Sequence, residues 1–125
     1  MSDRSALIIE DDSDLALIFA QALQAAGFDT GIVQHGDHAL ARLAVATPDI
    51  VVLDLHLPSV SGADILRKIR DDERLAHTRV IVTTADPRMA DMLQDQPDLV
   101  LLKPISFSQL RDLAARLAST VPTGR

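Results

Sequence analysis

Ile50 to Pro58 reads IVVLDLHLP. Four apolar, mostly β-branched residues run straight into one carboxylate, Asp54, and the run closes on Leu57 and Pro58. A short uninterrupted apolar run reads as a strand covered on both faces, the kind found in parallel sheets. An acid at the end of such a strand is costly unless something satisfies or uses its charge. Pro58 ends the segment, because proline has no N–H to give to a sheet ladder. The stretch therefore delivers one carboxylate to the carboxyl end of a central strand. In open α/β sheets that edge is where ligands bind.

The same pattern repeats on either side. Ala6 to Ile9 is a short apolar run that ends in three acids, Glu10, Asp11 and Asp12. Ser13 is placed to cap a helix whose apolar stripe is Leu15, Ile18, Phe19, Ala22 and Leu23, with Gly27 at its end. Residues 28–33 read as a second strand, weakened by Gly31, and residues 37–46 as a helix facing inward through Ala39, Leu40, Leu43 and Ala44. Beyond the central strand, Ser61 can cap a third helix reaching Arg70, with Ile65, Leu66 and Ile69 inward. Residues 71–78 read as a polar loop, and Val80 to Thr84 as a strand ending in two hydroxyls. Pro87 suits the first turn of a short helix that Pro97 limits. Leu99 to Leu102 form a fifth strand ending at Lys103 and Pro104. Ser106 and Gln109 have capping-box spacing ahead of a last helix with Leu110, Leu113, Ala114 and Leu117 on one stripe. Phe107 and these leucines are expected in the core. Strand and helix alternate five times, which implies a parallel sheet with helices on both faces.

The chain has 125 residues, the size of one domain. We expect one unit over 1–125, with a core of about 5–119 and a frayed tail at 120–125. Apolar residues make up 47%, so a real core is available, and with 2% aromatics it must be aliphatic. A net charge of -6 argues against a general nucleic-acid or anionic-membrane binder. There is no cysteine, which removes disulfides and thiolate metal sites and fits a reducing compartment. No cleavable leader pattern or membrane-length apolar run is present, so a cytoplasmic protein is expected.

Parallel strands place all their carboxyl ends on one edge. Glu10 and Asp11, then Asp54, then Thr83 or Thr84, then Lys103 would meet there. Three close carboxylates repel unless a cation sits among them. An all-oxygen donor set points to a hard ion, Mg²⁺ or Mn²⁺ in its place, and Mg²⁺ so held typically serves a phosphate. A lysine and a hydroxyl are what the remaining phosphoryl oxygens would want. Singly these signals are weak, since an acidic triplet is more often a solvated loop; four at four strand ends carry more.

With these residues in view, the chain resembles the receiver domain of the two-component response regulator family over almost its whole length. The resemblance rests on IIEDD, on LDLHLP followed by Ser61 and Gly62, on VTTA and on LLKP. It implies a flavodoxin-like fold, a doubly wound five-stranded parallel sheet in the order 2-1-3-4-5 with five helices. It implies two-component phosphorelay signalling: Asp54 accepts a phosphoryl group from a sensor histidine kinase or histidine phosphotransfer protein and switches a surface read by a downstream protein. Glu10 and Asp11 become the metal-binding acids, and Asp12 a neighbour. Mg²⁺ would touch Asp11, Asp54, a phosphoryl oxygen and the backbone carbonyl of His56, with Glu10 acting through water. Lys103 would pair with Asp54 at rest and with a phosphoryl oxygen afterwards. Thr84, the hydroxyl that precedes Ala85, would turn inward. The bond before Pro104 is expected cis. Such a domain is not a turnover enzyme, although it promotes its own phosphorylation and slow dephosphorylation.

His56 and Asp86 fall at positions that tune acyl-phosphate lifetime in this family. Val100 stands where the family often has an aromatic, and the segment between Thr84 and Lys103 is about one helical turn short. Those two departures leave a second reading, a degenerate receiver acting as a constitutive scaffold or dimerisation module. A third, a Mg²⁺ phosphatase of the haloacid dehalogenase type, would need an Asp where His56 stands. His35, His38 and His77 form no ligand pattern and are expected to face solvent. Homodimerisation is left open, and the start at Met1 with a short polar tail favours a complete chain.

Overall fold

The structure is a computed structural model that describes residues 4–93 and 96–118. Its elements, in chain order, are β1 (Ser5–Ile9), α1 (Ser13–Ala25), β2 (Asp29–Val33), α2 (Gly36–Leu43), β3 (Ile50–Asp54), α3 (Gly62–Asp71), a 3₁₀ turn (Glu73–Leu75), β4 (Arg79–Thr84), α4 (Pro87–Asp91), β5 (Leu99–Leu102) and α5 (Phe107–Ala118). The strands form one sheet in the order β2-β1-β3-β4-β5, with every pairing parallel. This is the doubly wound arrangement expected from the alternation. The tail at 120–125 lies outside the described residues.

Strand alternation sorts the core into two halves. Ile8, Val52, Ile81 and Leu101 point to the face covered by α1 and α5, where Phe19, Leu23, Leu110 and Ala114 meet them. Leu7, Ile9, Val51, Leu53, Val80 and Val82 point to the other face, covered by α2 and α3 through Ala39, Leu43, Ile65, Leu66 and Ile69. Every residue of β3 is buried, which is why its sequence is apolar without alternation.

Helix ends follow local chemistry, with one correction. The cap of α1 is Asp12, not Ser13: its Oδ1 accepts from the N–H groups of Asp14 and Leu15, both at 3.0 Å. An aspartate there satisfies two orphan donors and adds charge against the positive helix end. Gly27 follows the helix at φ 101, a conformation cheap only for glycine. Ser61 caps α3 as expected, accepting from Asp64 N at 3.2 Å. Ser106 Oγ accepts from Gln109 N at 3.0 Å ahead of α5. Two further expectations fail: Ile18 and Phe107 are exposed, and Phe107 lies under the Arg111 guanidinium at 5.8 Å rather than in the core. The inward positions of α1 are taken by the smaller Ala16 and Ala20 instead. The helix after β4 is one short turn and a half, Pro87–Asp91.

Candidate functional site

Two residues past the first core half, counting along each strand, come Glu10, Asp54, Thr83 and Lys103. Ile8, Val52, Ile81 and Leu101 already face α1 and α5, so period-two alternation puts these four on the same side of the sheet end. Asp54 and Thr83 stand on β3 and β4, and Glu10 and Lys103 one residue past the ends of the flanking strands β1 and β5. Asp54 is directly opposite Thr83 in the register. Glu10 and Asp54 are almost wholly buried, at 1% and 2% exposure.

Lys103 reaches across this row. Its Nζ lies 3.0 Å from Glu10 Oε1 and 3.5 Å from Asp54 Oδ2. The expected Lys103–Asp54 pair is thus present but secondary, because the buried Glu10 is the nearer acceptor. Glu10 Oε2 also accepts from Asp12 N at 3.2 Å. Burial pushes the Glu10 carboxyl up to about 7, against the lowering pull of Lys103 and of the Asp12 N–H, with Asp54 adding to the rise. Burial acts to lower the Lys103 ammonium, but its bond to Glu10 and the charge of Asp54 outweigh that and hold it above the ordinary lysine value. The lysine therefore stays charged at neutral pH while Glu10 is poised to lose a proton.

Asp54 is fixed by its own chain. The His56 N–H donates to Asp54 Oδ1 at 3.0 Å, and Leu55 N donates to Thr83 O at 3.1 Å. Gly62, at the start of α3, is pressed against this turn: a Cβ there would sit 2.3 Å from Asp54 O and 2.6 Å from Leu55 Cα. Only glycine lets α3 begin so close to the strand end. The connecting loop carries Ser59 at φ 69, spanned by Val60 N donating to Pro58 O at 2.9 Å. That is a three-residue turn with a left-handed centre, a strained form.

Thr84 is on the opposite parity from Thr83. Its Oγ1 accepts from Asp86 N at 3.1 Å and lies 3.3 Å from His56 Nε2. The His56 imidazole therefore meets Thr84 rather than any carboxylate. Asp86 caps α4, accepting from Arg88 N at 2.9 Å. Val100 is partly buried and packs against the α2/α3 half of the core, as does Met89 of α4. His35, His38 and His77 are exposed, as the sequence suggested. Thr83, passed over in the sequence in favour of Thr84, is fully buried, and its hydroxyl has no hydrogen-bond partner among the described residues. The signal for it was its alternation in step with Ile81.

Among the described residues, Glu10, Asp11 and Asp54 offer carboxylate oxygens that all lie within 4.8 Å of one another. Three oxygens, two of the residues buried and one exposed, fit a hard divalent cation such as Mg²⁺ that keeps part of its water shell. One lysine cannot balance three carboxylates, so the donor set calls for more positive charge.

The profile of the response regulator receiver domain matches residues 6–115. The chain belongs to the response regulator receiver family. It is 32% identical over 106 residues to the polar-differentiation response regulator DivK of Brucella ovis, covering 82% of this chain and 86% of that protein. It is 32% identical over 107 residues to the DNA-binding response regulator MtrA of Mycolicibacterium paratuberculosis, covering 83% of this chain but 46% of MtrA. The chain thus spans about half the length of that relative. The signal receiver domain of a histidine kinase from Syntrophus aciditrophicus superposes with a TM-score of 0.85 at 27% identity, over 98% of this chain and 95% of that one. Receivers of this family are signalling proteins of two-component systems rather than turnover enzymes. No helix among the described residues is long and apolar enough to cross a membrane.

Proposed function

We propose that this chain is a single receiver unit in which Asp54 accepts a phosphoryl group from the phosphohistidine of a sensor histidine kinase or histidine phosphotransfer protein, and that the change is read by a downstream protein. The observation that carries this is the row of Glu10, Asp54 and Lys103 on three strands of one sheet edge, with Asp11 beside it. Glu10, Asp11, Asp54 and the backbone carbonyl of His56 would hold Mg²⁺. When bound, the ion supplies positive charge against the phosphoryl oxygens in a loose, nearly in-line transfer.

The chain's own residues do the rest. The His56 N–H holds Asp54 Oδ1 and sets the carboxylate rotamer. The other oxygen, which faces Lys103, attacks phosphorus; the O–P bond forms as the P–N bond to the donor imidazole breaks, and the imidazole leaves with the electron pair. Lys103 follows a phosphoryl oxygen as negative charge moves onto it. Thr84 must give up its contacts with Asp86 N and His56 Nε2 to bond another oxygen, so both neighbours of Thr84 set the ease of that turn and the lifetime of the acyl phosphate. With Val100 in place of a ring, the displacement leaves through the Ala85–Asp86 loop and the short α4, which packs through Met89. This is a two-state element biased by a local charge.

Incubation with Mg²⁺ and acetyl phosphate should load one acid-stable, base-labile phosphate per chain. No incorporation, or equal incorporation in Asp54→Asn, would overturn the mechanism. The five-residue α4 and Val100 favour one second reading, a receiver that takes phosphate without changing its surface. Amide exchange across residues 84–93 that stays the same after loading would support that scaffold over the switch.

A further inference from the structure

Thr83 takes no part in the chemistry proposed for Asp54, yet its place at that sheet end is unusual. It sits between Asp54 on β3 and Leu101 on β5 in the register, on the face that carries Glu10, Asp54 and Lys103. It is 0% exposed, and its Oγ1 has no hydrogen-bond partner among the described residues. A valine would fill the same space without burying an idle hydroxyl, so the oxygen is a cost unless another state uses it.

Lys103 shows what that state is. Its backbone N–H is bonded to Thr84 O at 2.8 Å, which fixes the residue beside β4. Its ammonium nevertheless lies beside Glu10 on β1 and Asp54 on β3. With the strands ordered β1-β3-β4-β5, the stem has to cross β4 to reach them, and the β4 side chain on that face is Thr83. A cation that draws on Glu10 and Asp54 takes away the acceptors the ammonium has at rest, and a phosphoryl oxygen that follows replaces only one of them. The Lys103 ammonium carries three N–H donors and is only about one-fifth exposed, so water alone does not replace both acceptors. Thr84 lies on the opposite parity and is engaged by Asp86 and His56.

We propose that Thr83 is a positioning residue for Lys103, its hydroxyl being the acceptor that holds the ammonium over β4 once Glu10 and Asp54 are engaged elsewhere. The inference rests on the receiver reading of Asp54. In the resting state the hydroxyl is idle; in the loaded state it keeps the lysine aimed along the row.

The test is a Mg²⁺ titration of the parent, Thr83→Val and Thr83→Ser. The chain has two lysines, Lys68 and Lys103, so ¹⁵N-lysine labelling leaves two ammonium groups to follow. Without metal, Thr83→Val should melt at the parent temperature or above it. It should bind Mg²⁺ more weakly by about two- to tenfold, the worth of one hydrogen bond. Its Lys103 ammonium protons should exchange faster with water when Mg²⁺ is added, and Thr83→Ser should restore both properties. Equal Mg²⁺ affinity and equal Lys103 exchange in Thr83→Val and parent would overturn the proposal. So would a serine variant no better than the valine one, which would make the threonine a packing residue. Failure of the receiver reading looks different: the parent would take up no phosphate from acetyl phosphate while the valine–serine difference in Mg²⁺ binding persisted.

Discussion

The two edges of the sheet hold their carboxylates in opposite ways. At the amino edge, Asp98 is surrounded by donors. Its Oδ2 accepts from Val80 N at 2.7 Å and Arg70 Nη2 at 2.9 Å, and its Oδ1 from Arg79 Nη1 at 3.2 Å. Arg70 continues to the carbonyls of Gln96 and Thr78, at 2.6 and 2.9 Å. One acid thus ties α3, β4 and the start of β5 together. At the carboxyl edge, three acids cluster, two of them sharing one lysine, and a neighbouring hydroxyl has no partner among the described residues. A carboxylate fully satisfied by the fold has no affinity to spare, whereas a cluster short of positive charge is built to receive something. The difference separates scaffold from site better than burial does, since the site itself mixes buried Glu10 and Asp54 with exposed Asp11.

The largest effect should come from removing the scaffold acid. Asp98→Ala removes the carboxylate that Arg70, Arg79 and the Val80 N–H share. The ion pairs are partly exposed, at 20% for Asp98 and 25% and 34% for Arg70 and Arg79, which lessens the loss through solvent screening. We expect a destabilisation of about 3 kcal/mol by denaturant unfolding. Phosphate uptake per folded molecule should match the parent. A variant that stays folded but no longer takes phosphate would break the comparison, because the amino edge would then belong to the chemistry.

The carboxyl edge should reveal itself through pH. Glu10 titrates at about 7 in the fold against an ordinary value of 4.5. Between these values the folded protein keeps a proton that the unfolded chain has released. Raising the pH from 4.5 to 7 therefore lowers the stability of the metal-free protein, and above 7 the loss is complete, at on the order of 3 kcal/mol before any relaxation. Glu10→Gln should flatten that slope. Mg²⁺ should restore stability in the parent, more strongly as pH rises through 7, because the cation needs the ionised carboxylate. Stability curves at pH 5 and pH 8, with and without Mg²⁺, check both signs; a parent more stable at pH 8 without metal would exclude the shift.

Much of this was legible in the chain because it depends on local patterning. The all-apolar run into Asp54, the acids after β1 and the lysine–proline after β5 fix the strands and which edge carries charge. The cis bond before Pro104 also agrees with the resemblance. What escaped depends on distances between strands. The preference of Lys103 for Glu10 over Asp54 follows from how the stem crosses the sheet, which no sequence spacing records. The resemblance points past Thr83 to the hydroxyl before Ala85, and the face Thr83 shares with Asp54 follows only from strand parity and register. Ile18 and Phe107 look like core residues by helical period, yet small alanines fill the inward positions of α1, and the N-terminal turn of α5 stands clear of the sheet. The network on Asp98 joins residues far apart in sequence and has no motif.

The acidic triplet Glu10, Asp11 and Asp12 gives the finest version of the comparison, since scaffold and site meet within three residues. Asp12 behaves like the amino edge: its Oδ1 is occupied by two helix N–H groups. Asp11 behaves like the carboxyl edge: it is exposed and faces Glu10 and Asp54 within the metal-sized cluster. Asp12→Ala should therefore cost about 1 kcal/mol of stability, the usual worth of an N-cap. It should leave Mg²⁺ affinity within about twofold, because the backbone N–H that Glu10 accepts from is kept by alanine. Asp11→Ala should do the reverse, keeping or slightly raising the melting temperature by relieving repulsion while weakening Mg²⁺ binding at least about tenfold. Calorimetric Mg²⁺ titrations paired with thermal melts read the two effects separately. Were Asp12→Ala to lose the metal and Asp11→Ala to lose the stability, the assignment of cap and ligand within the triplet would be inverted, and the cluster would have to be rebuilt around Asp12.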